Sequence, residues 1–164
     1  MIETTFIGVD PALRKGGFWV CIICRIENTA TFKSCEHLGH FVRLLADLDP
    51  RGVIVENSNL QKKMFNEMAG MGGALDVGKN MGVSQAATDI AREFSQIEPG
   101  ISPKQKGAKI TNELFFSSIL KANNLTPVNY KGNKTEQDKR DALMLALICE
   151  QQCKLKSRAK STNK

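Results

Sequence analysis

The chain has no apolar run near the ~18 residues of a membrane-spanning helix, so an integral membrane protein of helical type is not expected. Its first ten residues, MIETTFIGVD, place an acid at position 3 and contain no apolar stretch of signal-peptide type, so an intracellular protein is expected. Cysteines number five, an odd count without a compact spacing framework, and read as free thiols of a reducing compartment. There is no internal repeat, which excludes solenoid and propeller architectures. No glycine-rich phosphate loop follows Asp10 beyond Gly16-Gly17, which argues against a nucleotide cofactor. Aromatic residues make up only 6%, with a single Trp and a single Tyr.

The 164 residues suffice for one domain with a full core, and a hydrophobic fraction of 41% with 24% charged residues is that of a globular protein. Net charge is +6, from 23 basic and 17 acidic residues. Five of the bases, Lys154, Lys156, Arg158, Lys160 and Lys164, fall in an acid-free C-terminal stretch, so the remainder carries +1. We therefore divide the chain into a domain over 1–153 and a basic, flexible tail over 154–164, a weak hint of a polyanionic partner.

Periodicity sets out the elements. Residues 4–9 (TTFIGV) form an apolar strand ending at Asp10-Pro11. Residues 18–25 (FWVCIICR) form a second strand, joined to the first by a hairpin connection, and 29–35 a third. Phe41, Leu44, Leu45 and Leu48 mark an amphipathic helix stopped by Asp49-Pro50. Val53-Ile54-Val55-Glu56 is a short buried strand closing on an acid. Between 79 and 94, Val83, Ala86, Ala87, Ile90, Ala91 and Phe94 keep helical spacing. Ile101 is strand-like, and 102–109 (SPKQKGAK) is a basic loop. A helix over 111–121 should turn Leu114, Phe115, Ser118 and Ile119 inward, and 122–137 reads as loop. The last helix, Asp138 to Cys153, buries Ala142, Leu145, Ala146 and Cys149. The order β-β-β-α-β-α-β-α-α predicts an α/β domain with one central sheet.

Carboxylates recur where elements end. Asp10 follows the first strand and Glu56 ends the fourth, while Asp138 and Asp141 stand three apart at the head of the last helix. That spacing puts both on one helical face, continuous with Ala142 and Leu145 and hence turned to the sheet. Strand ends are where sites form in open α/β sheets. Acids gathered there repel one another, and hard divalent cations with oxygen ligands relieve it. Two such ions about 4 Å apart clamp a phosphodiester. Taken singly, Asp10-Pro11 is a common turn and Asp138 with Asp141 complement a helix N-terminus; the combination favours a site.

Four segments carry a resemblance to a family: FIGVDP (6–11), GVIVEN (52–57), DVGKNMGV (76–83) and QDKRDALMLAL (137–147). In this order they resemble the RuvC family of Holliday junction resolvases, within the RNase H-like superfamily, and the compact chain looks like its divergent phage members. The resemblance spans roughly residues 5–150. It implies an RNase H-like fold with a central mixed five-stranded sheet flanked by helices, and a cytoplasmic setting in a bacterial cell or phage-infected host. It implies that Asp10, Glu56, Asp138 and Asp141 hold two Mg²⁺ ions, with Mn²⁺ as substitute, and hydrolyse DNA to 5′-phosphate and 3′-hydroxyl ends. It implies a homodimer through the 79–94 helix, whose two sites nick a four-way junction symmetrically. Lysines near the site touch the scissile phosphate in that family. Lys106 and Lys109 match best, with Lys104 a third, although the loop between them is short. The family's junction-opening aromatic has no direct match; Leu60 and Phe65 stand nearest, and Phe65 reads equally as core.

Other readings of the same residues are open. An RNase H-like nuclease for flaps, forks or RNA–DNA hybrids would share the acids. A branched-DNA-binding scaffold without catalysis would tolerate losing one of them, and none is lost. Cys21-x2-Cys24 with His37-x2-His40 approximates a zinc finger, but residues three apart on a strand face opposite ways and the His spacing is one short. Trp19 and Tyr130 read as packing residues rather than base-stacking ones.

Overall fold

The computed structural model describes residues 4–14, 17–60, 70–107, 109–132 and 136–162. Among the described residues six strands form one mixed sheet, β1 (Thr5–Arg14), β2 (Gly17–Cys24), β3 (Thr29–Cys35), β4 (Gly52–Glu56), β5 (Gly100–Ile101) and β6 (Thr126–Val128). Their spatial order is β5-β4-β1-β2-β3-β6. The first three run antiparallel, and β4, β5 and β6 each join parallel to a neighbour. The helices are α1 (Leu38–Leu48), α2 (Gly70–Phe94), α3 (Pro103–Lys106), α4 (Glu113–Ala122) and α5 (Gln137–Ser161). The α/β class is as expected. The sheet has a sixth strand, because Thr126–Val128, taken for loop, pairs with β3 at Thr29–Thr31. It is exposed and contains Pro127, so it carries no alternation, and an edge strand tolerates the proline.

Alternation along the strands splits the core in two. Ile7, Val9, Phe18, Val20, Val53 and Val55 pack on α1 and α2. Phe6, Cys21, Ile23, Ala30, Phe32 and Ile54 pack on α4 and α5. In α1, Phe41 and Leu45 are buried, His37 Nδ1 accepts the His40 N–H at the N-cap, and Asp49 closes the helix in the left-handed conformation at φ 42°. In α2, Ala87 and Ala91 are buried against the chain's own sheet, with Val83, Ile90 and Phe94 beside them. Of the apolar stripe expected at a dimer interface, Ala87 and Ala91 are therefore taken up inside the subunit, while Val83, Ala86, Ile90 and Phe94 are half-buried.

Helix α4 is turned from the expected phase. Leu114 and Phe115, expected inward, are 83% and 58% exposed, while Phe116 and Leu120 are buried. The run LFFSSIL is apolar on more than one face, and Phe116 is chosen by its ring contact with Tyr130, centroids 4.7 Å apart. Helix α5 continues to Ser161, so the boundary expected after Cys153 is not marked by a break in secondary structure. Its far half is tied down by Arg25, whose guanidinium donates to both oxygens of buried Glu150 at 2.8 and 2.6 Å and to the Asn123 carbonyl at 2.7 Å.

The seat of α5 on the sheet is set by two glycines. A Cβ at Gly8 would overlap the Ala142 carbonyl oxygen and the Ala146 nitrogen, so the helix backbone lies directly on β1. At Gly52 a Cβ would come within 2.6 Å of Cys153 Sγ and 2.9 Å of Cys149 Sγ. Backbone obstructs the first position and side chains the second. We predict that Gly8→Ala loses about 3 kcal/mol or more, the upper range for overpacking, and that Gly52→Ala loses less; urea unfolding of both variants checks the ranking.

Candidate active site

Strand register assembles the acids. β1 and β4 run parallel with Val9 beside Val55, so the next residues along, Asp10 and Glu56, end side by side. Both belong to the alternation set that faces α5, as Phe6, Gly8 and Ile54 do. Asp10 is buried at 6% exposure. After it the β1–β2 pairing shifts register, the irregularity that Pro11 demands. The shift frees the Ala12 N–H, which donates to Asp10 Oδ1 at 3.2 Å and fixes the carboxylate.

The other acids arrive on α5. Because that helix sits on Gly8, its first turn overhangs the ends of β1 and β4. Asp141 is buried and accepts from Gln137 Nε2 at 3.0 Å. Asp138 is half-buried, and its charge is felt at Asp10. The head of α5 is pinned by Arg140, which is buried and pairs with Glu113 at the start of α4; Tyr130 donates to the same Glu113 oxygen at 2.7 Å. All four acids named from the sequence thus lie at one end of the sheet.

Among them stands a cation. Glu56 pairs with Ile101 of β5, and the chain then enters α3 through a capping box of Ser102 and Gln105 with Pro103 in the first turn. That single turn returns Lys106 to the acids. Its ammonium is ion-paired with Glu56 and lies 3.4 Å from Asp141 Oδ2. Burial works against its charge, but the hydrogen bond and charge of Glu56, then Asp141 and Asp10, outweigh that and hold its pKa above the ordinary value. Asp10 goes the other way. Burial first, then the neighbouring Glu56 and Asp138, push its carboxyl up to about 7 against the Ala12 hydrogen bond and Lys106. One lysine does not cancel the acids.

The remaining candidates are scattered by comparison. Lys104 and Lys109 are exposed on either side of Lys106. Lys106, expected to reach for a phosphate, is instead turned inward. Leu60 is 51% exposed at the end of a 3-10 turn over Ser58–Leu60. Phe65 lies outside the described residues. Among the described residues no three His, Cys, Asp or Glu side chains form a ready-made metal-holding group. The four acids nevertheless offer the oxygen-only donors that hard divalent cations take, and the Asp10 carboxyl, raised first by burial and then by the charges of Glu56 and Asp138, is one whose ionised form such a cation would favour. Cys21 and Cys24 are free, Cys21 buried against the α5 side, while His37 caps α1 on the other face.

Sequence reasoning passed over Gln137 and took Trp19 for a packing residue. Gln137 was legible as one turn before Asp141. Trp19 is directly opposite Asp10 in the β1–β2 ladder, and period-two counting from Cys21 places it on the same face. Comparisons with protein-family models, with curated proteins and with solved structures give no match.

The Asp10 carboxyl yields a prediction whose sign is fixed. Its folded pKa of about 7 lies above the ordinary 3.8. Between those values the unfolded chain loses the proton first, so stability falls as pH rises toward 7 and stays low above it. The cost is on the order of 4 kcal/mol at full extent. Asp10→Asn should therefore melt higher than the parent protein at pH 8 in chelator, with the gap shrinking at pH 5. A gap that ignores pH would contradict the buried, repelled carboxylate.

Proposed function

We propose that this chain is a metal-dependent nuclease of RNase H-like fold that cuts branched DNA, a Holliday junction resolvase in the manner of the RuvC family. The observation that carries the reading is the convergence of Asp10, Glu56, Asp138 and Asp141 at one end of the sheet, with the Asp10 carboxyl pushed up to about 7. A mixed sheet with helices on both faces supports the fold. Bound Mg²⁺ or Mn²⁺ would supply Lewis-acid stabilisation of the phosphate and an activated water.

The chain's own residues do the positioning. Asp10, Glu56, Asp138 and Asp141 would hold the ions. The Ala12 N–H and Gln137 amide fix the oxygens of Asp10 and Asp141 beforehand, which reduces reorganisation during reaction. Lys104 and Lys109, exposed on either side of Lys106, would neutralise backbone phosphates and make binding salt-dependent. Symmetric nicking needs a second copy of the site. The proposed homodimer through the 79–94 helix would use a face other than Val83, Ala87 and Ala91, which the subunit's own core takes.

Flaps, forks and RNA–DNA hybrids remain alternative substrates for the same acids, and a non-catalytic branched-DNA scaffold is the rival from another class. One assay separates them: Mg²⁺ with a fixed four-way junction, a 5′ flap, a fork, a hybrid and plain duplex. Paired symmetric nicks in the junction are expected. Asp10→Asn and Asp141→Asn should each lower cleavage by about two orders of magnitude or more, the scale of losing a positioned catalytic group, while junction binding persists. Full cleavage by either variant would sink the assignment, and binding without cleavage by the parent protein would establish the scaffold.

A further inference from the structure

Beside the acids lies a cleft that the proposed chemistry does not use. Its volume is about 790 Å³, and its walls include Trp19, Tyr130, Lys33, Lys131, Glu136 and Lys139. Trp19 stands directly across the β1–β2 ladder from Asp10, at a spacing of about 5 Å between paired residues. Lys139 follows Asp138 in α5.

The charges of the cleft are arranged in two tiers. Lys139 is buried, donates to both oxygens of Glu136 at 2.9 and 3.0 Å, and rests 4.4 Å from the centre of the Trp19 ring. Glu136 is buried as well and is satisfied further by the Lys131 backbone N–H at 2.9 Å. This pair cancels itself inside the wall. The sign presented to solvent is left to Lys33 and Lys131, both exposed at the rim. The cleft thus offers an aromatic floor and a cationic rim, the combination on which unpaired nucleic acid binds: bases meet rings and phosphates meet ammonium groups. An acidic peptide would match the rim but not the floor. A duplex would match the rim while keeping its bases stacked on one another.

We propose that this cleft is a binding track for unpaired nucleic acid, receiving the strand as it leaves the acid cluster, with Trp19 and Tyr130 meeting bases and Lys33 and Lys131 meeting phosphates. The inference rests on the nuclease reading and adds to it a preference for substrates with an unpaired or unstacked strand next to the cut.

Trp19 is the only tryptophan of the chain, so its emission reports on the cleft alone. The full chain, in chelator to prevent cutting, is titrated with single-stranded oligothymidylate, with a four-way junction and with polyglutamate. Saturable quenching by oligothymidylate is expected, weakening with salt. The Lys33→Ala/Lys131→Ala double variant, changed only at exposed positions, should bind roughly tenfold more weakly and lose about one from the salt slope per lysine. Quenching by polyglutamate as tight as by DNA would overturn the proposal in favour of a general anion site. Junction binding in a mobility-shift gel with Trp19 emission unmoved, and with the double variant binding as the parent does, would place the cleft off the DNA path and leave the nuclease reading standing. Failure to bind or cut any nucleic acid in the Mg²⁺ assay would remove both.

Discussion

The contact between the α5 backbone and the bare Cα of Gly8 governs the molecule. It is a contact between main chains, so no side-chain adjustment restores it once a Cβ intervenes. Everything that faces α5 inherits its position from this contact. Phe6 and Ile54 find Ala142, Leu145 and Ala146. Arg25 meets Glu150 midway along the helix, and Asp138 and Asp141 hang over Asp10 and Glu56 at its head. Stability and site geometry therefore share one origin. A helix lifted by even an ångström would lose packing along its length and part the acids together.

The acid end is the reverse of a relaxed core. Burial costs an ionised carboxylate several kcal/mol unless it is compensated, and here several share one neighbourhood. Three devices limit the cost: the Ala12 N–H on Asp10, the Gln137 amide on Asp141, and the Lys106 ammonium on Glu56 and Asp141. They do not suffice for Asp10, whose carboxyl stays high. Such a site stores unfavourable energy that a cationic ligand can release, which is how a fold gives up stability for binding.

Much of this was legible in the residues because burial imposes a period. Apolar alternation marked β1 to β4, and the stripe Ala142, Leu145, Ala146 and Cys149 marked the buried face of α5. The acids were found because they interrupt those patterns at element ends. What escaped lacked a pattern or had two. Thr126–Val128 is an exposed edge strand without alternation. The α4 run is apolar on several faces, and the phase was decided by Tyr130, distant in sequence. Residues 102–106 read as a basic loop because one capped turn leaves no periodicity, and the inward course of Lys106 depends on the β4–β5 pairing. Trp19 was read as packing because nothing local says that its strand partner is an acid.

Lys106 gives the acid end a counter-charge that travels with the chain. The ammonium is buried against Glu56 and Asp141. Because that cation belongs to the chain itself, two of the four acids have a partner as soon as β4, α3 and α5 come together. Under the proposed nuclease reading, a divalent cation would have to displace this ammonium from Glu56 and Asp141 before it could share them.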